Sequence, residues 1–146
     1  MTELEWRRIR IDWDELEEAF ADTSDDHRYY FDRETGAVHF FSSYLDNEEE
    51  EEEERAMTSE NRYVVIPHSE RRVPFHELRE FVSSLEKEPE RRALESTLQA
   101  PESFVRFEDT IAGLPLVQTA WRRFVHERRQ ARMKHWLTDV SVEPLD

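Results

Sequence analysis

The chain has no cysteine and only two glycines in 146 residues. Without thiols, disulfides, thiolate nucleophiles and zinc sites built on cysteine are excluded. Two glycines cannot supply either of the common glycine-rich phosphate loops. No apolar run approaches the roughly twenty residues needed to cross a bilayer, and the charged N-terminus does not read as a signal peptide. The expectation is therefore a cytoplasmic protein with no membrane partner. Positive charge is also scarce: 20 lysines and arginines face 35 aspartates and glutamates, a net of −15. A field of that sign opposes non-specific binding to nucleic acid.

The charge is unevenly spread. Residues 1–60 hold 21 acidic and 6 basic side chains, whereas residues 61–146 hold 14 of each. The basic side chains concentrate in the C-terminal stretch from Leu116 to Leu137. There Val117, Trp121, Phe124 and Val125 recur at three- and four-residue spacings, Ala131 and Trp136 continue the apolar side, and no glycine or proline interrupts them. That pattern predicts a long helix with one buried face, entered through Pro115. Its polar side carries Arg122, Arg123, Arg128, Arg129, Arg132 and Lys134 against Glu127. Such a face is either solvated or paired within the chain, or a surface for a nucleotide or phosphate, for RNA, or for an acidic partner. Arg122, Arg128, Arg129 and Arg132 are the candidate contacts. Arg128 falls closest to the apolar face, which makes a partly buried pair with Asp32 or Asp12 an expectation.

Upstream the pieces are shorter. Leu4 to Ile11 alternates imperfectly (Leu4, Trp6, Ile9, Ile11) and reads as extended. Asp12, with Glu15 three residues on, has the capping-box spacing for a helix over Trp13–Ala21 whose apolar stripe is Trp13, Leu16 and Phe20, joined by Ala19. Residues 27–45 read as two strands reversing at Arg33–Gly36, with Tyr29 and Phe31 on one face and Tyr30 and Asp32 on the other. Seven glutamates, Glu48–Glu54, sit in a stretch (46–60) with little to bury, which predicts an acidic flexible insertion or a fraying helix. Arg62–Pro67 is the expected central strand, β-branched and closed by proline. Helices are predicted from Phe75, from Pro89 with Ala93, Leu94 and Leu98 inward, and through Phe104, Phe107 and Ile111 to Gly113.

Strands early and helices late predict one α+β domain spanning residues 1–146: a small antiparallel three-stranded sheet covered by helices, ending in the long C-terminal helix. The opening IDWDELEEAF (11–20), the hairpin YYFDRETGAVHF (29–40), the strand VVIPHSE (64–70) and the closing WRRFVHERRQARMKHWL (121–137) together resemble the bacterial group called uncharacterised protein family 158. The resemblance implies small cytoplasmic α+β proteins of similar construction, with the glutamate run as an insertion. It brings no activity and no catalytic residues with it.

For function, the residues assign no catalytic group, no cofactor and no metal ligand set. The leading expectation is a small non-catalytic binding or regulatory protein with a protein partner. One alternative is a small hydrolase or metal-dependent enzyme using His68, Ser69 and nearby carboxylates at a strand end, with His39 and His76 as further histidines that could converge. The other is self-association as a homodimer, the acidic half of one copy meeting the basic helix of another.

Overall fold

The computed structural model of the chain describes residues 5–44, 47–68 and 73–145. Eleven elements follow one another among them: β1 (Arg7–Ile9), α1 (Trp13–Ala21), β2 (His27–Asp32), β3 (Val38–Ser42), α2 (Glu48–Thr58), β4 (Tyr63–Val65), α3 (Phe75–Ser84), α4 (Glu88–Leu98), α5 (Ser103–Ala112), α6 (Pro115–Asp139) and β5 (Val142–Pro144). The fold is α+β, with a three-stranded antiparallel sheet, surrounding helices and the long helix α6. It divides into a sheet unit, Met1–Ser69 with Arg129–Asp146, and a helical unit, Glu70–Arg128.

In the sheet unit the strand order is β3-β2-β4. The strand expected in the middle, β4, therefore lies at an edge, and β2 is central. Six residues long against three for β4, β2 has the length to pair on both sides. Tyr29 lies opposite Phe40, and Tyr30 lies opposite His39 on one side and Val65 on the other. Side chains alternate across the sheet. Phe31 and Ile66 join Ile11, Leu16, Ala19, Phe20, Met133, Leu137 and Val142 in the core. On the other face Tyr30 and Phe41 pack with Met57 of α2.

Helix α1 starts where the spacing predicts, with Asp12 accepting from the Glu15 amide at 3.1 Å. Glu15 does not reach back to close the box. Its carboxylate accepts from the Val38 amide at 3.2 Å, a group that β3 turns away from β2. The reversal between β2 and β3 depends on Gly36 at φ +81°, where a Cβ would stand 2.5 Å from the Arg10 carbonyl oxygen. The glutamate-rich stretch forms helix α2, capped by Asn47, with Met57 buried and most of the glutamates exposed.

The sheet unit also holds a pairing that the sequence pattern did not suggest. β1 and β5 run parallel, with Arg7 opposite Val142, Arg8 opposite Glu143 and Ile9 opposite Pro144. Ser141, in the left-handed region at φ +61°, turns the chain out of α6 and into β5.

In the helical unit, α3, α4, α5 and residues 115–128 of α6 enclose Leu78, Phe81, Val82, Leu94, Phe107, Ile111 and Val117. Trp121 lies edge-on to Phe81 at 5.0 Å and to Phe107 at 4.9 Å. Ala93, expected inward, is exposed, and Thr97 takes the buried position with Leu94.

Helix α6 spans the predicted stretch, but its burial does not follow one stripe. Val117, Trp121 and Phe124 turn to the helical unit's core, whereas Met133, Trp136 and Leu137 turn to that of the sheet unit. Continuing the first stripe by threes and fours arrives at Ala131, Arg132 and His135, all exposed. Ala131 was expected inside, and Met133 and Leu137, the fully buried residues, break the phase.

Candidate interaction surface

The polar side chains of the sheet unit are mostly engaged with one another. Asp32, 2 % exposed, accepts from Arg62 Nε at 2.9 Å and from its terminal nitrogen at 2.8 Å, and also from the Glu34 amide and the Thr35 hydroxyl. Burial pushes the Asp32 carboxyl up, but these donors together outweigh it and bring it down to about 2. Arg28 grips Glu54 through two bonds of 2.6 and 2.9 Å, and the Tyr30 hydroxyl donates to the same carboxylate at 2.7 Å. These bonds, with Met57, seat α2 on the sheet.

Asp22, at the C-cap of α1, forms a third cluster. Its Oδ2 accepts from the Tyr29 hydroxyl at 2.6 Å and lies 2.6 Å from His27 Nδ1, while Oδ1 accepts from the Ser24 amide at 2.8 Å. Burial raises Asp22, and the donors overcome it to leave the carboxyl at about 2. Tyr29 is pushed up to about 12 by burial and by its bond to that anion.

Arg33 is the most buried cation described, at 4 % exposure, and it meets no carboxylate at hydrogen-bond distance among the described residues. Its guanidinium donates to the carbonyls of Val140 (2.9 Å), Asn61 (3.2 Å) and Glu5. Burial, with Arg7 nearby, holds its pKa below the usual arginine range.

The arginines expected to form a binding face have different fates. Arg128 pairs with Glu80 of α3 and lies 5.0 Å over the Phe124 ring, so neither Asp32 nor Asp12 is its partner. Asp32 is taken by Arg62 and Asp12 caps α1, which leaves neither available. Arg129 meets Glu17 at 3.4 Å, and Gln130 donates to the same carboxylate at 3.2 Å. A shallow acidic cleft of about 610 Å³ opens there, lined by Asp12, Asp14, Glu15, Glu17, Glu18, Ala21 and Arg129. Arg122 and Arg132 are exposed. The four therefore do not form one free cationic patch, because the two central ones are neutralised.

The histidines are also dispersed. His68 is exposed after β4, His39 lies edge-on to Tyr63 at 5.7 Å, and His76 is exposed on α3. Ser69 lies outside the described residues. Among the described residues no three or more His, Asp or Glu side chains gather as a metal-binding group. His27, which lies 2.6 Å from the Asp22 carboxylate, carried no signal in the sequence beyond its place at the head of a strand.

What remains open is the ribbon β1–β5. Its inner side supplies Ile9 and Val142 to the core. By alternation, Trp6, Arg8 and Arg10 of one strand and Glu143 and Leu145 of the other lie on the outer side. Trp6 is 61 % exposed and Leu145 51 %. Arg8 meets Glu143 at 3.6 Å and Arg7 meets Glu5 at 3.8 Å, both weak surface pairs. A signal for this was available: Trp6 is out of phase with Ile9 and Ile11, so the three cannot share one face of a strand.

These features define a small α+β protein whose buried polar groups largely serve the fold and whose parallel ribbon faces solvent. The chain belongs to the Uncharacterised protein family UPF0158, whose family model matches residues 7–145. No curated protein and no solved structure matches it. Among the described residues, no helix is long and apolar enough to cross a membrane.

Proposed function

We propose that this is a small non-catalytic binding protein that recruits a protein partner through the outer side of the β1–β5 ribbon. One observation carries the reading: a parallel strand pair leaves a tryptophan, Trp6, and a leucine, Leu145, in water. Parallel strands are normally covered on both faces, because their connections lay other elements over them. Tryptophan and arginine are also the side chains that dominate binding energy at protein interfaces, and this ribbon carries one tryptophan with three arginines.

The test is a photo-crosslinking amino acid placed at position 6, and as a control at the exposed position 92 on α4, in cells producing the full chain. The expected result is one discrete heteromeric adduct from position 6 and none from position 92. Equal labelling at both positions, or none at position 6, would overturn the reading.

A second reading, enzymatic chemistry, draws support from the Asp22–His27 pair. A carboxylate 2.6 Å from Nδ1 orients an imidazole so that its other nitrogen can take a proton. It competes with the hydrolase or metal-dependent activity expected around His68. Self-association, the acidic half of one copy meeting the basic helix of another, is the third, and light scattering at low and moderate salt distinguishes it.

A further inference from the structure

The register of the ribbon says which of its backbone groups are unused. The Arg7 amide donates to the Ser141 carbonyl at 3.0 Å, and the Leu145 amide donates to the Ile9 carbonyl at 3.0 Å. Arg7 and Ile9 thus direct their backbone groups towards β5, and by the two-residue period Arg8 directs its N–H and C=O to the opposite edge. Among the described residues no strand pairs with that edge. An open edge of this kind is a template for another strand, and native proteins commonly blunt theirs with proline or a covering element. β5 is blunted in that way: Val142 is buried and Pro144 has no N–H to give. β1 carries no proline, and its open stretch runs up to Arg10, whose carbonyl meets Gly36 of the β2–β3 turn.

We infer that β1 accepts an extended, carboxylate-bearing segment of a partner protein as an added strand. This rests on the binding reading above and names the partner's chemistry. Main-chain bonds to Arg8 supply the pairing, and an apolar side chain of the segment packs on Trp6. The charge selects the sign. Three arginines, Arg7, Arg8 and Arg10, stand on or beside the strand, and Glu5 and Glu143 answer two of them. Arg10 has no ion-pair partner among the described residues, which leaves room for a carboxylate of the incoming segment. A second copy of this chain is disfavoured at the strand itself, because pairing two β1 strands sets Arg7 and Arg8 of one copy beside those of the other.

The experiment titrates the isotopically labelled full-length protein with three peptide probes, each read by amide and indole chemical shifts. The first is a nine-residue peptide alternating valine and glutamate. The second replaces glutamate with lysine, and the third is the first peptide with alternate backbone nitrogens methylated. Expected shifts centre on Trp6–Ile9 with the glutamate peptide, with binding at least about tenfold weaker for the lysine and methylated peptides. Trp6→Ala and Arg8→Pro should each weaken it by about tenfold or more. The Arg8 amide points away from β5, so proline there spares the β1–β5 ladder. Trp6→Ala keeps the experiment informative if the proline variant does not fold.

Binding indifferent to methylation would overturn strand addition, and preference for the lysine peptide would overturn the charge assignment. A dimer in light scattering that Arg8→Pro converts to a monomer would identify a second copy as the occupant and overturn the inference. If none of the peptides binds while position 6 still crosslinks to a partner, this inference fails and the binding reading stands. Absence of crosslinking removes the binding reading itself.

Discussion

At the scale of single residues, stability in the sheet unit rests on buried polar groups such as Asp32 and Arg33 that hold several partners each. Arg33 ties together the carbonyls of Glu5, Asn61 and Val140, which come from three distant parts of the chain. Arg33→Met takes the donor from all three acceptors; Glu5 and Asn61 are exposed, so water can replace it there, and the cost falls mainly on the Val140 carbonyl. The expected loss in a denaturant titration is about 1–3 kcal/mol. Arg33→Lys should recover little of it, because one ammonium cannot match a planar fork spread over three carbonyls.

Asp22 and Asp32 make a second prediction at this scale, about pH. Both are held at about 2, below the ordinary carboxylate value of 3.8, so both bind protons less readily folded than unfolded. Their stabilising contribution is therefore complete above pH 4 and is lost as pH falls from about 4 to 2. Denaturation midpoints measured across that window should drop steeply for the wild type. In Asp32→Asn the curve should start lower at neutral pH, with Arg62 left without its carboxylate, and fall less on acidification.

Among the elements, α2 shows how a repulsive sequence can still form an ordered helix. Seven adjacent glutamates disfavour any compact state. Asn47 caps the helix through the Glu50 amide at 2.9 Å, and the first-turn glutamates suit the positive end of its dipole. Glu54 and Met57 then seat it on the outer face of β2 and β3. Glu54→Gln removes the charge that Arg28 grips in two places. Hydrogen exchange should then show α2 amides losing protection while the β2–β3 ladder keeps its own. Equal loss in both would mean that α2 and the hairpin open as one.

For the whole molecule, the two units have separate cores and very different charge: 24 acidic and 10 basic side chains in the sheet unit, against 11 acidic and 10 basic in the helical unit. Leu137 is fully buried in one core and Phe107 in the other. Leu137→Ala should cost about 2–5 kcal/mol and Phe107→Ala about 3–5 kcal/mol. Native-state hydrogen exchange is expected to show the first lowering protection in β2 and β3 and the second in α3, α4 and α5. Loss spread evenly over all of them would show that the chain unfolds as a single cooperative unit.

The sequence by itself determined the local elements, because helix and strand periods, caps and turn chemistry act over a few residues. Asp12 placed the start of α1, Gly36 the hairpin reversal and Pro115 the start of α6. The α+β class and the three-stranded antiparallel sheet followed from the order of those pieces. Only the tertiary structure decided what depends on distant partners. It set β2 in the middle of the sheet, and it turned α6 towards two cores, which hid Met133 and left Ala131 in water. Through intramolecular ion pairs it neutralised Arg128 and Arg129, the pair at the centre of the expected binding face. It also paired β1 with β5 across the length of the chain. Neither short-range pattern nor composition encodes that pairing, since hydrogen bonds between strands depend on where β1 and β5 meet in space. That meeting leaves Trp6 exposed, and with it the surface on which the proposed function rests.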